Sequence, residues 1–201
     1  MAQAPAPRRS QREHQRERTR AALVDGARSV IRSGEDVTMP AIARAAGVSE
    51  PTAYRYFPDL LSVLQEGFVG VWPSADELMP DHASCPDPVD RAAAAARVLA
   101  SNVLRIEGAV RSMIALTIAR RDAVDARPAH RTGLIDSALA PLAQHDGDRL
   151  AQLRNELSVA ISAEALFTLL DLRRLTPEQA VDAMSESARH LVRMAITDLG
   201  L

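Results

Sequence analysis

Apolar residues in this 201-residue chain recur three and four positions apart, and no run of useful length alternates polar with apolar. The first period belongs to a helix with one buried face; the missing one belongs to a half-buried strand. The pattern restricts the fold to all-α. Helix-start and helix-stop residues divide it into about nine helices. Leu23, Ala27, Val30 and Ile31 share one face of the first, which Gly34 ends. Thr38 caps a second, with Ile42, Ala45 and Ala46 facing inward. Gly47 then permits a left-handed turn. Ser49 caps a third, from Glu50 to Phe57. Asp59 opens a fourth, with Leu60, Leu64, Phe68, Val71 and Trp72 at helical spacing. Residues 73–88 hold four of the twelve prolines and read as a loop. Asp87-Pro88 starts a helix running to about Glu107. Gly108 marks a break before Ala109–Arg120, and Pro128 and Pro141 bracket a shorter piece. Residues 148–172 read as one long helix. Thr176-Pro177-Glu178-Gln179 is a capping box opening the last, which runs to about Leu199. No internal repeat is visible.

Charge is distributed unevenly along this framework. The net charge is −2, yet residues 1–57 carry ten arginines against six acids, an excess of four. The remainder carries fourteen against twenty. A basic front on an acidic body points to a polyanionic partner at the front, or to chance. Residues 1–15, rich in Pro, Ala, Arg and Gln, read as a disordered arm. Arg8, Arg9, Arg12, Arg16, Arg18 and Arg20 either track a phosphate backbone or form a solvated tail.

Several function classes are excluded. No apolar run approaches the ~18 residues of a membrane span. The polar, Arg-rich start is not a secretory signal. The single cysteine, Cys85, cannot form an internal disulfide, which suits a reducing cytoplasm. The five histidines (14, 82, 130, 145 and 190) are scattered, with no pair four apart. Cys85 has no adjacent His, and neither a Gly-rich phosphate loop nor an HExxH motif is present. The expectation is no enzyme, no cofactor and no metal.

The informative block is Thr38 to Phe57, TMPAIARAAGVSEPTAYRYF. It reads as helix, Gly-containing tight turn, helix. Ile42, Ala46, Val48, Ala53 and Phe57 form a shared apolar seam, and Ala43, Ala45 and Ala46 are small enough for close approach. That is a helix-turn-helix unit, whose second helix enters a DNA major groove. On that helix Thr52 and Tyr56 share a face, with Pro51 and Arg55 beside them and Glu50 and Tyr54 flanking. Hydroxyls and guanidinium there suit phosphate and base-edge contacts, although either tyrosine alone could simply cover a small core.

The block resembles the DNA-binding region of the tetracycline-repressor (TetR) family of bacterial transcription regulators. Thr38, Ile42-Ala43, Ala46-Gly47-Val48-Ser49, Pro51-Thr52, Tyr54 and Tyr56-Phe57 carry the resemblance. It covers about residues 15–75. Beyond them only the helical layout and a late Asp171-Leu172…Leu175-Thr176-Pro177-Glu178 agree. The resemblance implies that Thr38, Ser49 and Tyr54 hold phosphates. Glu50, Pro51, Thr52, Arg55 and Tyr56 would face the groove, with Arg44 also among the DNA-binding residues. Glu50 either accepts from a cytosine amino group or only favours the helix N-terminus. Leu60 stands where many relatives have a lysine.

The resemblance implies an arm over 1–15, a three-helix DNA-binding domain over 16–60, and a helical ligand-binding and dimerisation domain over 61–201. A homodimer would form through the last two helices, with Leu166, Leu170, Met184, Leu191 and Met194 as candidates. An inducer pocket would draw on Phe68, Trp72, Asn102, Arg105, Met113, Leu116, Thr117, Glu164 and Phe167, with Arg111 a further polar candidate. The expected partners are a palindromic DNA operator, an unknown small-molecule inducer and a second copy of the chain. The expected function is repression relieved by that ligand. A helical ligand-binding or adaptor protein, whose helix-turn-helix makes only protein contacts, is the competing reading.

Overall fold

The computed structural model describes residues 11–80, 85–120, 130–145 and 147–200. Every regular element among them is helical. The first seven are α1 (Gln11–Ser33), α2 (Met39–Ala45), α3 (Glu50–Tyr56), α4 (Leu60–Phe68), α5 (Ala75–Leu78), α6 (Pro88–Arg105) and α7 (Glu107–Ala119). There follow α8 (His130–Leu139), α9 (Gly147–Ala160), α10 (Ala163–Phe167) and α11 (Pro177–Leu199). The all-α class follows from the apolar period.

The helices beyond nine have local causes. The proline-rich stretch holds α5, because Ser74 and Glu77 form a capping box. Ser74 Oγ accepts from the Glu77 amide at 3.3 Å, and the Glu77 carboxylate accepts from the Ser74 amide at 2.8 Å. The expected long helix over 148–172 is divided. It stops at Ala160, and Ser162 recaps the chain by accepting from the Ala165 amide at 3.0 Å. A π-turn over Thr168–Leu172 follows, and Arg174 takes φ +56°. Mid-pattern serine offers the backbone an alternative partner, which apolar periodicity does not register.

Other boundaries also move. The break between α6 and α7 falls at Ile106, two residues before Gly108. α4 ends at Phe68, so Val71 and Trp72 lie past its end. Residues 1–10 of the expected arm lie outside the described residues. Its last five positions are helical, since α1 begins at Gln11. Gln, Arg and Glu have high intrinsic helix propensity and extend a helix without an apolar stripe.

Two compact units are present. The described part of the first contains α1 to α4 and returns from Arg111 to Arg120. It reaches past residue 60 because α4 packs on α1. Leu23, Ala27, Ile31, Ile42, Ala53, Phe57, Val63 and Leu64 are its buried centre. Two glycines set how closely the helices approach α1. A Cβ on Gly26 would stand 2.9 Å from the Ile42 carbonyl oxygen and 3.0 Å from the Ala46 nitrogen. A Cβ on Gly67 would stand 3.0 Å from that of Ala27. Glycine at these positions seats both α2 and α4 on α1.

The second unit holds α5, α6 and α8 to α11. α11 packs along α6, and both buried faces are rich in alanine: Ala92, Ala93, Ala96 and Ala100 against Ala180, Ala188 and Ala195. Small side chains permit a close helix pair. Ser185 Oγ, fully buried, donates to the Ala93 carbonyl at 3.3 Å. Leu150, Leu153, Leu157 and Ile161 are buried as one stripe, and α9 packs on α8 and α11. Arg149 ties α9 to α11 through Asp198 at 3.1 Å. No described helix is long and apolar enough to cross a membrane.

Candidate nucleic-acid interface

Thr38 starts α2 as the sequence indicates. Its backbone is extended, and its Oγ1 accepts from the Ala41 amide at 3.3 Å. Pro40 occupies the first turn, where no amide donor is needed. The end of α2 is fixed by two reverse hydrogen bonds. The Gly47 amide donates to Arg44 at 3.1 Å, and the Val48 amide donates to Ala43 at 3.0 Å. That pattern requires a left-handed residue between them, and Gly47 has φ +67°. The chain is then extended at Ser49 and re-enters a helix with Pro51 in its first turn.

α3 is seven residues long and buries only Ala53. Phe57, just past its end, is 2% exposed and anchors it. Thr38, Arg44, Ser49, Glu50, Pro51, Tyr54 and Arg55 are exposed, and Thr52 and Tyr56 are half-buried. Tyr54, 47% exposed, does not cover the core. Two expectations change. Ala45, expected inward, is exposed, because the buried face of α2 is the one formed by Met39, Ala41, Ile42 and Ala43. Ser49 has a cap backbone but makes no side-chain cap bond. Its hydroxyl lies 2.9 Å from that of Thr52, which satisfies it instead.

The neighbouring helices brace this unit. The Arg20 guanidinium lies 4.8 Å from the Phe57 ring centroid and also binds the Glu66 carboxylate, so one side chain joins α1, α4 and the end of α3. Asp59 caps α4 by accepting from the Ser62 amide at 2.8 Å, and its other oxygen accepts from Arg120 at 2.6 Å. The Ser62 amide first, and then Arg120, hold its carboxyl below the ordinary 3.8. Beside α3 is a hollow lined by Arg12, Gln15 and Arg16 of α1 with Arg55 and Tyr56. Arg55 also lies 5.6 Å from the centre of the Tyr56 ring. Sequence reading assigned Arg12 and Arg16 to a loose arm; their four-residue spacing was the available sign of a helical face.

The ligand candidates are divided between the units. Phe68, Met113 and Thr117 are buried in the first, where Leu116 is half-buried. Arg111 also belongs to the first unit. Trp72, Asn102, Arg105, Glu164 and Phe167 belong to the second. Several polar members are already engaged. Thr117 Oγ1 donates to the Met113 carbonyl at 2.8 Å, and Asn102 Nδ2 donates to Val98 at 3.0 Å. Arg105 donates to Asn102 at 3.2 Å, and Glu164 lies 3.7 Å from Arg131. Trp72 stacks on His130, with centroids 5.1 Å apart.

Of the dimer candidates, Leu166 and Met184 are buried within their own unit, at 0% and 2% exposure. They have no surface to offer a partner, because they face the core packed between α6, α10 and α11. Leu170 and Leu191 are half-buried, and Met194 is exposed. Among the described residues no group of three His, Cys, Asp or Glu side chains is placed to hold a metal ion.

Comparison with known proteins bears on the same segment. No curated protein matches the chain. Two solved structures are similar to the chain. One is a candidate tetR-family transcriptional regulator from Mesorhizobium loti, 15% identical, covering 90% of this chain and 98% of that one, with a TM-score of 0.44. The other is a tetR-family transcriptional regulator from Streptomyces coelicolor, 20% identical, covering 94% and 86%, with a TM-score of 0.47. Residues 23–60, from α1 to the start of α4, match the profile of bacterial regulatory proteins of the tetR family. Over that helix-turn-helix segment the chain is similar to bacterial regulatory proteins of the tetR family.

Proposed function

We propose that the protein is a homodimeric repressor that binds a two-fold operator through α3 and leaves it when a small molecule binds. The observation that carries the reading is the composition of the outward face of α3. Thr52, Tyr54, Arg55 and Tyr56 present hydroxyl and guanidinium groups, while Ala53 and Phe57 are turned inward. Packing requires only Ala53 and Phe57, which leaves this cluster of hydroxyl and guanidinium groups available for contacts to phosphates and base edges. Thr38, Ser49 and Tyr54 hold phosphates in this reading. Glu50, Pro51, Thr52 and Tyr56 face the groove, and Arg44 stands at its edge. Phosphate contacts fix the register and base-edge contacts select the sequence.

Dimerisation is supported by the apolar surface left after the second unit closes its core. Met194 is 51% exposed, Leu191 three positions before it is half-buried, and so is Leu170 on the π-turn. A dimer presents two α3 helices, which is why such proteins read sites with half-sites about one helical turn, or a multiple, apart. Release follows from linkage. A ligand that binds more tightly to the DNA-incompetent form lowers operator affinity by that difference in affinity. The second unit, 72–110 and 130–200 among described residues, is the ligand-binding part in this reading. Footprinting on the DNA upstream of the protein's own gene tests the function. A protected, two-fold symmetric site is the expected result; uniform cleavage at saturating protein counts against it.

A further inference from the structure

We propose that Arg12, Arg16 and Arg55 form a three-arginine clamp for consecutive DNA backbone phosphates, so that Arg55 positions the duplex and does not read a base. The proposal rests on the reading of α3 as a DNA-contacting helix, and gives α1 and Arg55 specific parts in it.

The geometry comes first. Arg12, Gln15 and Arg16 lie within one turn on the same face of α1, and they share a hollow with Arg55 and Tyr56 of α3. All three arginines are exposed, and no carboxylate lines the hollow. Three other arginines of this unit are neutralised, Arg20 by Glu66, Arg28 by Asp25 at 3.0 Å and Arg120 by Asp59, while Arg18, Arg32 and Arg44 make no ion pair among the described residues but do not line the hollow. Among the described residues no ion pair involves Arg12, Arg16 or Arg55. Three like charges converging without a counter-charge repel one another. Arg12 is also in the first turn of α1, where the helix dipole disfavours a cation. Both costs vanish when an anion occupies the hollow.

The shape of that anion follows from the donors. Guanidinium groups bind phosphate oxygens in pairs, and donors on two helices suit a strand passing between them. Arg55 is held toward this side by its own neighbour, since its guanidinium stacks on the Tyr56 ring. A side chain directed to the α1 side of α3 meets backbone where Thr52 meets groove. The opposite face of α1 supplies an internal control. His14, Glu17, Arg18 and Ala21 lie there, and Arg18 is bonded to Gln15 at 2.8 Å.

The test uses the full-length protein and a duplex that the wild type selects from a random-sequence pool. Affinity is measured at several salt concentrations for wild type, Arg12→Gln/Arg16→Gln, Arg55→Gln and Arg18→Gln, with circular dichroism confirming the fold of each. Each clamp arginine removed flattens the dependence of log affinity on log salt by about 0.9 per subunit, and base preference in a repeated selection stays unchanged. Arg18→Gln leaves the slope closer to that of the wild type. A slope for Arg12→Gln/Arg16→Gln equal to that of Arg18→Gln overturns the clamp. So does an Arg55→Gln protein that loses preference at one base position while keeping its slope. A wild type that retains no duplex removes the DNA reading itself, and the clamp with it.

Discussion

Tyr56 shows how a single position is used twice. Its ring carries the Arg55 guanidinium, and its half-buried place leaves one edge outward beside Thr52. Tyr56→Ala is expected to weaken operator binding by about 1–3 kcal/mol while circular dichroism stays unchanged; undiminished affinity in a gel-shift titration counts against its groove role. Gly26 carries no chemistry, yet constrains the fold more tightly. A Cβ there meets backbone atoms at 2.9 and 3.0 Å, which cannot rotate away. Gly26→Ala is expected to lower unfolding stability by about 1–3 kcal/mol, measured in urea, because α2 must move off α1. His130 is depressed below its ordinary 6.5 by burial against Trp72. The folded state therefore takes up its proton less readily than the unfolded chain. Stability contributed by its neutral form is full above pH 6.5 and falls as the pH drops toward the lowered value. The thermal midpoint should fall between pH 7 and pH 5 by more in the wild type than in His130→Phe.

Among the elements, α2 and α3 were the most legible in the sequence. Thr38, Gly47 and Phe57 each have one physical solution: a cap, a left-handed turn and an anchor. The inward face of α1 was equally clear, because its single apolar stripe of period 3.6 has one way to be buried. Legibility failed where local hydrogen bonding overrode periodicity. Ser162 divided a helix that its apolar neighbours promised would continue, and Ser74 with Glu77 built α5 between prolines. It failed again where propensity acted without an apolar signal, at the start of α1. The shared hollow of Arg12, Arg16 and Arg55 was invisible because it joins residues some forty positions apart. On α11, sequence alone could not separate the stripe facing α6 from the one left outside. The structure assigns Met184, Ala188, Val192 and Ala195 to the core and leaves Met194 exposed. Met194→Glu should therefore fold normally but shift the protein toward monomer by light scattering. A variant that remains fully dimeric would place the interface elsewhere.

At the scale of the molecule, basic and acidic parts have separate tasks. The excess of four positive charges over residues 1–57 lies with the helix-turn-helix, and the acidic remainder contains the whole of the second unit. A polyanion is drawn to the basic N-terminal part of the chain, and the acidic remainder does not compete for it. Regulation requires only that a ligand distinguish DNA-competent from DNA-incompetent forms, so its effect on operator affinity and the operator's effect on its own affinity must be equal. The central claim is that α3 reads sequence as one half of a symmetric pair. Its most direct measurement is selection of duplexes from a random-sequence pool by the full-length protein at physiological salt. The expected result is a two-fold symmetric consensus, with half-sites about one helical turn or a multiple apart, that Tyr56→Ala fails to enrich. Recovery of a pool with no preferred sequence would contradict it.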